Sequence, residues 1–443
     1  WRLAKNISRL TKKSYWFYGL GVSYFIIDQL YNQWLQYYYL PPNTEKSLTP
    51  LLKPQYLIIA FIFARLIDAV SDPVVGYLSD NSKSKFGKRS FFMMIGGIPL
   101  GLLTIMYFYP VKSSQIATLV YLSIVGGLYF TAYTLVAAPY NALIPDLANT
   151  KEERLNLSTV QSTFRLIFTG IAMVLPGILI AKLGNGNTEA GIRKTVILLT
   201  VLAILGIYLC IFFLKEKDLT AKKEKKRSLS FGNSLKYIFE KEILLYFGGF
   251  FFFFSGFNIL RGVLTYYLTI VMGRPIAQLT LVSVILFGVA GLFFPITNKW
   301  GKKYSYKKIL VLDIAFLMVG SFGLLFITKE LSKWAYLMFI ICGIGLSGSA
   351  FIFPQAMLSE ISAEISERKK VGLEGFLFGI QGLFLKLSFL VQQVAVSIVI
   401  VFGSQKSVTG LKTATDLGVR STLIVAFILF GISLFFYNLK KED

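Results

Sequence analysis

Twelve apolar runs, each long enough to cross a lipid bilayer, dominate this chain of 443 residues. A membrane-spanning helix needs about 20 mostly apolar residues. Because unpaired backbone polar groups are too costly in hydrocarbon, continuous apolar runs of this length predict helices. The runs cover residues 14–40, 54–79, 90–109, 116–144, 158–183, 193–214, 242–272, 276–297, 308–328, 333–358, 373–402 and 419–438. The sequence therefore predicts an all-α integral membrane protein with twelve transmembrane helices.

Much of the positive charge of the chain lies in the connections between these runs. The formal net charge is +23, although only 16% of the residues are charged and 55% are hydrophobic. Short Lys and Arg clusters follow every second run, as is typical of cytoplasmic loops. This pattern predicts a multi-pass protein of the cell (inner) membrane with both termini cytoplasmic, in contact with membrane lipid. We expect a monomer, and the clustering argues against nucleic-acid binding.

One long polar interruption divides the chain into two halves. We predict an N-terminal six-helix bundle at 1–214, a basic cytoplasmic loop at 215–237, and a C-terminal six-helix bundle at 238–443. A basic turn around glycine recurs at a similar place in each half, at 86–89 and at 300–303. Two similar six-helix bundles are typical of the major facilitator fold, whose substrate site lies at mid-membrane between the halves.

The second apolar run carries three charged residues on one helical face. Arg65, Asp68 and Asp72 are spaced three and four residues apart, so they align along a helix. Each charge costs about 2.5–3.5 kcal/mol in hydrocarbon on insertion scales, and such residues usually mark ion pathways. Two carboxylates one turn apart repel each other unless a cation or a proton lies between them. We interpret this face as a cation site, and Lys386, near the middle of the eleventh run, as a second functional charge.

Four stretches of sequence, taken together, resemble one family of transporters. They are residues 68–76 with 85–89, residues 138–154, residues 357–375 and residues 381–386. In this order they resemble the second helix, fourth helix, tenth-to-eleventh loop and eleventh helix of the glycoside–pentoside–hexuronide:cation symporters, the melibiose permease-like family. The resemblance spans most of the chain.

The resemblance implies a complete cation apparatus. Asp68 and Asp72 correspond to the carboxylates that bind Na⁺, Li⁺ or H⁺ in that family. Ser71 and Thr134 fall on neighbouring oxygen donors, and Lys386 falls on the lysine near both cation and substrate. Hard oxygen ligands of this kind suit an alkali cation. We expect this coupling cation, most simply Na⁺, at Asp68 and Asp72, and no other cofactor.

The substrate apparatus departs from the family pattern. Two family aspartates fall on Phe25 and Ala137, a tryptophan on Asn141 and an arginine on Gln161. Asp28 and Arg165 lie about one turn further along the same faces and could replace the lost groups. The candidate substrate or coupling residues are Asp28, Arg65, Tyr133, Asn141, Gln161, Arg165, Gln381 and Lys386, and the candidate gating residues are Arg89, Glu360 and Glu364.

These observations predict a secondary active transporter for a small organic solute. We expect cation-coupled symport of a sugar or glycoside by alternating access. No phosphate-binding loop, zinc signature or dinucleotide turn is present, so we do not expect an enzyme. Sodium-dependent lysophospholipid symporters share the cation motif, and the run Phe250–Phe254 could line a lipid tail or simply pack as an apolar helix. A lysolipid symporter, an uncoupled lipid flippase and a non-transporting receptor remain alternatives.

Overall fold

The computed structural model describes residues 10–148, 151–219, 239–350, 353–369, 374–404 and 410–439. Its regular structure in these ranges is helical, apart from an isolated bridge between Pro42 and Ala414. The helices are α1 Lys12–Leu20, α2 Tyr24–Tyr39, α3 Pro54–Asp80, α4 Ser90–Met106, α5 Gln115–Leu147, α6 Lys151–Gly184, α7 Thr188–Leu214, α8 Glu216–Leu219, α9 Lys241–Tyr266, α10 Leu279–Tyr304, α11 Tyr306–Leu324, α12 Ser332–Ser349, α13 Phe353–Lys369, α14 Glu374–Val399 and α15 Asp416–Leu439. Short 3₁₀ turns precede α2 and α10, and a π-helical turn extends α9.

Eight helical segments among the described residues are long and apolar enough to cross a membrane. They lie on α5, α6, α7, α9, α10, α12, α14 and α15. The protein is therefore an all-helical, multi-pass membrane protein. The other predicted runs coincide with helices that are broken, shorter or more charged: α1 and α2 divide the first run, and α3 carries Arg65, Asp68 and Asp72. The count of twelve spans stays a prediction.

The chain forms two compact units. The first unit contains residues 1–38 and 51–224, and the second contains residues 39–50 and 225–443. The boundaries predicted at 214 and 238 stay predictions, because most of the basic run lies outside the described residues.

In the first unit, the closest helix pairs are α3 with α5 and α4 with α5. Two small residues allow the first of these contacts. Gly126 on α5 faces Ala64 on α3, and a Cβ atom at Gly126 would lie 2.9 Å from the Ala64 methyl carbon. This close approach of backbones brings short polar side chains of the two helices within hydrogen-bonding range.

In the second unit, α9 packs mainly against α15 and α14. The run Phe250–Phe254 lies in these interfaces. Its rings stack on aromatic residues of the neighbouring helices, as Phe252 does on Phe436 of α15 with ring centroids 5.6 Å apart. Phe250 and Phe253 are fully buried. This packing agrees with the structural interpretation of the phenylalanine run.

Candidate functional site

Two carboxylates and two hydroxyl groups converge where α3 packs against α5. Asp68 and Asp72 lie one turn apart on α3, and Ser71 directly precedes Asp72. Thr134 on α5 reaches both acids, since its Oγ1 lies 3.1 Å from Asp72 Oδ1 and 3.5 Å from Asp68 Oδ1. The Ser71 hydroxyl lies 3.0 Å from Thr134 Oγ1 and can donate to it. We call these four residues the acid–hydroxyl cluster. They are the same four residues that the sequence analysis predicts to bind a cation.

The acid–hydroxyl cluster is buried on one side and more open on the other. Asp68 and Thr134 each expose 1% of their surface, whereas Asp72 is half-buried. A buried carboxylate loses its hydration and is stable only beside a compensating charge or hydrogen-bond donors. The open side of the cluster is therefore the side of Asp72.

Arg65 supplies one compensating charge. Its Nη1 lies 3.3 Å from Asp68 Oδ2, and both side chains are largely buried. The guanidinium also lies over the Phe130 ring of α5, 4.4 Å from the ring centroid, a cation–π geometry. One guanidinium and two ionised carboxylates leave a formal charge of −1. A single monovalent cation, or one proton, would neutralise the set.

The donor set also limits the kind of metal. Within the described ranges, no group of three or more His, Cys, Asp or Glu residues is placed to hold a metal ion. Ca²⁺ takes about six to eight oxygen ligands, and transition metals favour imidazole or thiolate. Two carboxylates and two hydroxyls therefore suit an alkali cation better than a divalent ion.

A second polar surface lies on α2, α5 and α6. Gln161 Nε2 donates to Asn141 Oδ1 at 2.7 Å, and Tyr24 hydrogen-bonds the Asn141 side chain. The Arg165 guanidinium lies flat over the Phe25 ring, 3.9 Å from its centroid. We call these five residues the Arg165 surface. The structure thus brings Asn141 of α5 together with Gln161 and Arg165 of α6, all three of which the sequence selected.

Asp28 lies on α2 among amide donors. Its Oδ2 accepts from Gln29 Nε2 at 3.0 Å, and its Oδ1 accepts from Asn32 Nδ2 at 3.0 Å. Tyr133, also selected from the sequence, packs edge-on against Tyr24 with ring centroids 5.5 Å apart. Amide hydrogen bonds thus occupy both carboxylate oxygens of Asp28, and its role in substrate binding stays a prediction.

The substrate candidates of the second unit lie on α14. Lys386 is half-buried. Gln381 is buried, and its Nε2 donates to the Tyr246 hydroxyl of α9 at 2.6 Å. This bond joins two helices, so it explains the burial of Gln381 without a ligand. The predicted ligand contacts of both residues stay predictions.

The candidate gating residue Arg89 lies in a polar cluster where α3 ends and α4 begins. Its Nε lies 2.9 Å from Asp146 Oδ2, and its Nη1 donates to Ser79 Oγ at 2.7 Å. The Glu216 carboxylate accepts from the backbone N–H groups of Arg89 and Ser90, at 3.1 and 2.7 Å. A carboxylate at a helix N-terminus is favoured by the free N–H groups and the helix dipole. The cluster thus ties the ends of four helices together.

Sequence reasoning missed Glu216. It lies in the basic run after α7, where its charge is outnumbered by lysines. In the structure, Gly87 has φ +109° and a Cβ position only 2.3 Å from a Glu216 carboxylate oxygen, a contact that no local sequence pattern indicates. The other gating candidates, Glu360 and Glu364, are exposed on α13. The gating assignments stay predictions.

Comparisons with known proteins agree with this architecture. A family model described as MFS/sugar transport protein matches residues 17–441. The inner membrane symporter YicJ of Escherichia coli is 26% identical over 292 residues, which is 64% of this chain and 61% of YicJ. The uncharacterized symporter YnaJ of Bacillus subtilis is 25% identical over 86% of this chain and 83% of its own length.

A sugar carrier and a solved structure extend the comparison. The lactose permease of Leuconostoc lactis is 23% identical over 70% of this chain and 50% of its own length. The match thus covers less than two thirds of YicJ and of the lactose permease. The crystal structure of a bacterial homologue of the human lysosomal transporter Spinster, inward-facing and unoccupied, superposes with a TM-score of 0.67 at 13% identity. That alignment covers 96% of this chain and 95% of the homologue, so the two share a fold.

Proposed function

The chain belongs to the MFS/sugar transport protein family, a family of membrane transporters rather than enzymes, and from this premise we propose that it is a cation-coupled sugar symporter. The cation, Na⁺, Li⁺ or H⁺, would bind at Asp68 and Asp72 with Ser71 and Thr134. The solute would be a sugar or glycoside carried by alternating access.

One observation carries the proposal. A single hydroxyl, that of Thr134, lies within 3.5 Å of both carboxylates and of the Ser71 hydroxyl. Helix packing alone does not require two acids at this place. Four oxygen atoms around a region of net negative charge form a set that a monovalent cation would complete.

The coupling follows from desolvation. Closing the protein over ionised carboxylates removes their water, which costs several kcal/mol per ion. Arg65 offsets the charge of Asp68, and a cation or a proton bound near Asp72 would offset the charge of the second carboxylate. The unloaded carrier would therefore close less readily than the loaded one. If the free energy of closing differs by about 1.4 kcal/mol between the loaded and the unloaded carrier, the ratio of closed to open molecules differs tenfold between them.

Different observations support the proposed class of solute and the proposed orientation of the protein in the membrane. The family description and the name of the lactose permease support a sugar. The packed phenylalanine run gives no support to the lysolipid alternative, which becomes an outcome of the test below. The Lys and Arg clusters support cytoplasmic termini in an inner membrane. The predicted coupling role of Lys386 is retained as part of the proposal.

Uptake by purified protein in liposomes tests the function. Radiolabelled lactose, methyl glucoside and a lysophosphatidylcholine would be supplied with an inward Na⁺ gradient, an inward proton gradient or choline chloride. We expect accumulation of a sugar above its external concentration only with a cation gradient. Asp72→Asn and Asp68→Asn should abolish accumulation, and Lys386→Ala should slow it.

The matched control is Glu330→Gln, which removes an acid from an exposed turn of the second unit. It should accumulate sugar like the unmodified protein. Folding of every variant is checked by thermal unfolding in detergent. If both asparagine variants are folded and still accumulate sugar against its gradient, the cation assignment is wrong. Lysolipid movement with no sugar uptake would favour the lipid symporter.

A further inference from the structure

The end of α10 and the start of α11 form a basic surface on the second unit. Ser305, whose φ is +115°, is the single residue between the two helices. Lys299 and Lys303 lie in the last two turns of α10, and Lys307 and Lys308 lie in the first turn of α11. We call these four residues the lysine cluster. Three of them, Lys299, Lys303 and Lys308, are exposed.

Helix stability explains only part of the lysine cluster. Positive side chains are favourable at the C-terminal end of a helix, where Lys299 and Lys303 lie, but unfavourable at the N-terminal end. Lys307 and Lys308 lie at the N-terminal end of α11, and the first turn of α11 contains no acid that could offset their charge. The two lysines of α11 therefore call for another explanation.

The corresponding turn of the first unit pairs its charges within the protein. Residues 86–89 and 300–303 each contain a glycine followed by two basic residues. In the first unit, Asp146 Oδ2 lies 3.0 Å from Lys88 Nζ and 2.9 Å from Arg89 Nε. In the second unit, Lys303 stands at the position of Arg89, and its Nζ lies over the Tyr304 ring, 4.9 Å from the centroid. The two turns thus share a sequence pattern but differ in how their charge is used.

The lysines of α10 have no acidic partner in the described part of the chain. Among the described residues, neither Lys299 nor Lys303 forms a salt bridge. The helix α10 contains no Asp or Glu. The acid of α11, Asp313, is buried and accepts from the Gly348 backbone N–H at 3.1 Å. An anion from outside the protein would complement the charge of this surface.

The neighbours of the lysine cluster indicate that this anion belongs to a lipid. Exposed side chains follow one another along α10 at intervals of four residues, in the order Leu292, Ile296, Trp300 and Tyr304. This stripe changes from apolar to aromatic where the membrane-spanning segment ends, at Gly301. Trp and Tyr favour the level of the lipid headgroups, and lysines beside that level attract anionic lipids. A small soluble anion would not require the apolar part of the stripe.

We propose that the lysine cluster, together with Trp300 and Tyr304, is a docking surface for an anionic phospholipid. The acyl chains lie along Leu292 and Ile296, the two aromatic rings lie at the level of the headgroup, and the lysines contact the phosphate. This inference does not depend on the proposed transport function, because it concerns the contact between the second unit and the bilayer.

Quenching of Trp300 fluorescence by brominated lipid tests the proposal, because bromine quenches a tryptophan only at close range. The full chain is reconstituted in one mixture of phosphatidylcholine and phosphatidylglycerol. Either the phosphatidylglycerol or a matched amount of the phosphatidylcholine carries brominated acyl chains. Each protein is measured with and without Trp300→Phe, and the difference isolates the signal of Trp300. We expect phosphatidylglycerol to be preferred over phosphatidylcholine at this position by at least about tenfold, and less at high salt.

Two double variants test the role of the charges. Lys299→Gln with Lys303→Gln should lower the preference by at least about fivefold, since each lysine near an anionic surface contributes to the attraction. Lys299→Arg with Lys303→Arg keeps both charges and should retain the preference. Thermal unfolding in detergent checks that every variant is folded.

The matched control is Lys329→Gln with Lys333→Gln. It removes two exposed lysines near the start of α12, beside the exposed Trp334 of the same unit. The preference measured at Trp300 should not change in this control. Equal quenching by the two brominated lipids would overturn the proposal. An unchanged preference in the double glutamine variant of α10, or an equal loss in the control, would also overturn it.

Discussion

The two units use similar helix pairs for different purposes. In the first unit α3 packs against α5, and in the second α10 packs against α12. Side-chain hydroxyls join both pairs: Ser71 to Thr134 at 3.0 Å, and Thr297 to Ser347 at 2.7 Å. However, α3 carries carboxylates within its apolar middle, whereas α10 contains no Asp or Glu. Hydroxyl contacts between closely packed membrane helices therefore do not require acids, and the acids of α3 call for another explanation, which the proposed cation binding would provide.

A second feature is the same in both units. Arg193, near the start of α7, donates to the Phe108 carbonyl just past the end of α4, at 2.8 Å. Arg420, near the start of α15, donates to the Ile327 carbonyl just past the end of α11, also at 2.8 Å. Each arginine pairs with an acid one turn earlier on its own helix. Free carbonyls at helix ends need such donors. We call each arginine with its acid and its carbonyl a clamp. Because the clamp occurs in both units, we attribute it to stabilisation of the fold rather than to one functional site.

We expect the largest loss of stability from a substitution that breaks the buried ion pair on α3. Asp68→Ala removes the carboxylate that pairs with Arg65, and loss of one partner of a buried pair costs about 3–5 kcal/mol. Thr297→Ala in α10 removes only a neutral hydrogen bond, worth about 1 kcal/mol. Thermal unfolding in detergent compares the two variants. If the two variants are destabilised equally, the ion pair of α3 contributes no more to stability than a neutral hydrogen bond. The double variant Arg65→Met with Asp68→Leu should recover most of the loss.

A smaller effect concerns the hydroxyl groups. Thr134→Val keeps the shape of the side chain but removes the oxygen between the two acids. We expect the apparent affinity for the coupling cation to fall by about tenfold or more, because hydrogen bonds to charged groups contribute about 1.5–3 kcal/mol. Cation-dependent stabilisation against heat measures this affinity.

Two controls accompany the Thr134 variant. Thr131→Val lies one turn earlier on α5, where the hydroxyl donates to the backbone of its own helix. Ser347→Ala removes the corresponding kind of hydroxyl contact in the second unit. Both should leave cation affinity unchanged. A loss in Ser347→Ala as large as that in Thr134→Val would remove the distinction between the two helix pairs.

The repeated clamp predicts similar effects in the two units. Arg193→Gln and Arg420→Gln should each lower stability by about 1–3 kcal/mol, since each removes charged donors from helix-end carbonyls. Neither should change cation affinity. Unfolding midpoints and Na⁺ titrations of both variants provide the test. A change in cation affinity for either variant would mean that the clamp is linked to the site.

We expect the smallest effect from an ion pair that is added to the clamp of the first unit. In the first unit Lys112 adds an outer ion pair to Glu189, at 3.1 Å, and this lysine is half exposed. Exposed pairs typically contribute about 0.2–1 kcal/mol and are screened by salt. Lys112→Gln should therefore lower the unfolding midpoint slightly at low salt and not at high salt. A large loss that persists at high salt would show that Lys112 is part of the clamp.

The fold class followed from apolar run length, and the cation candidates followed from spacing and family resemblance. Asp68 and Asp72 are neighbours on any helix, so their proximity is a local property that the sequence reveals. Thr134 was selected from the resemblance, and the structure places its hydroxyl near both acids. Contacts between residues far apart in sequence were harder to predict. The pairing of Glu216 with the start of α4 depends on how two helix ends meet, and no local pattern encodes that meeting.

The sequence by itself determined that this protein spans a membrane as helices, because hydrocarbon tolerates long apolar segments only when their backbone groups are paired internally. It also determined that charges lie within those segments, and that one face of α3 is acidic. The tertiary structure alone decided which partners those charges have. It placed Arg65 against Asp68 and Phe130, laid Arg165 over Phe25, and buried Gln381 against Tyr246. The physical reason is that helix periodicity fixes neighbours along one helix, whereas contacts between helices depend on the small residues that set how closely the backbones approach.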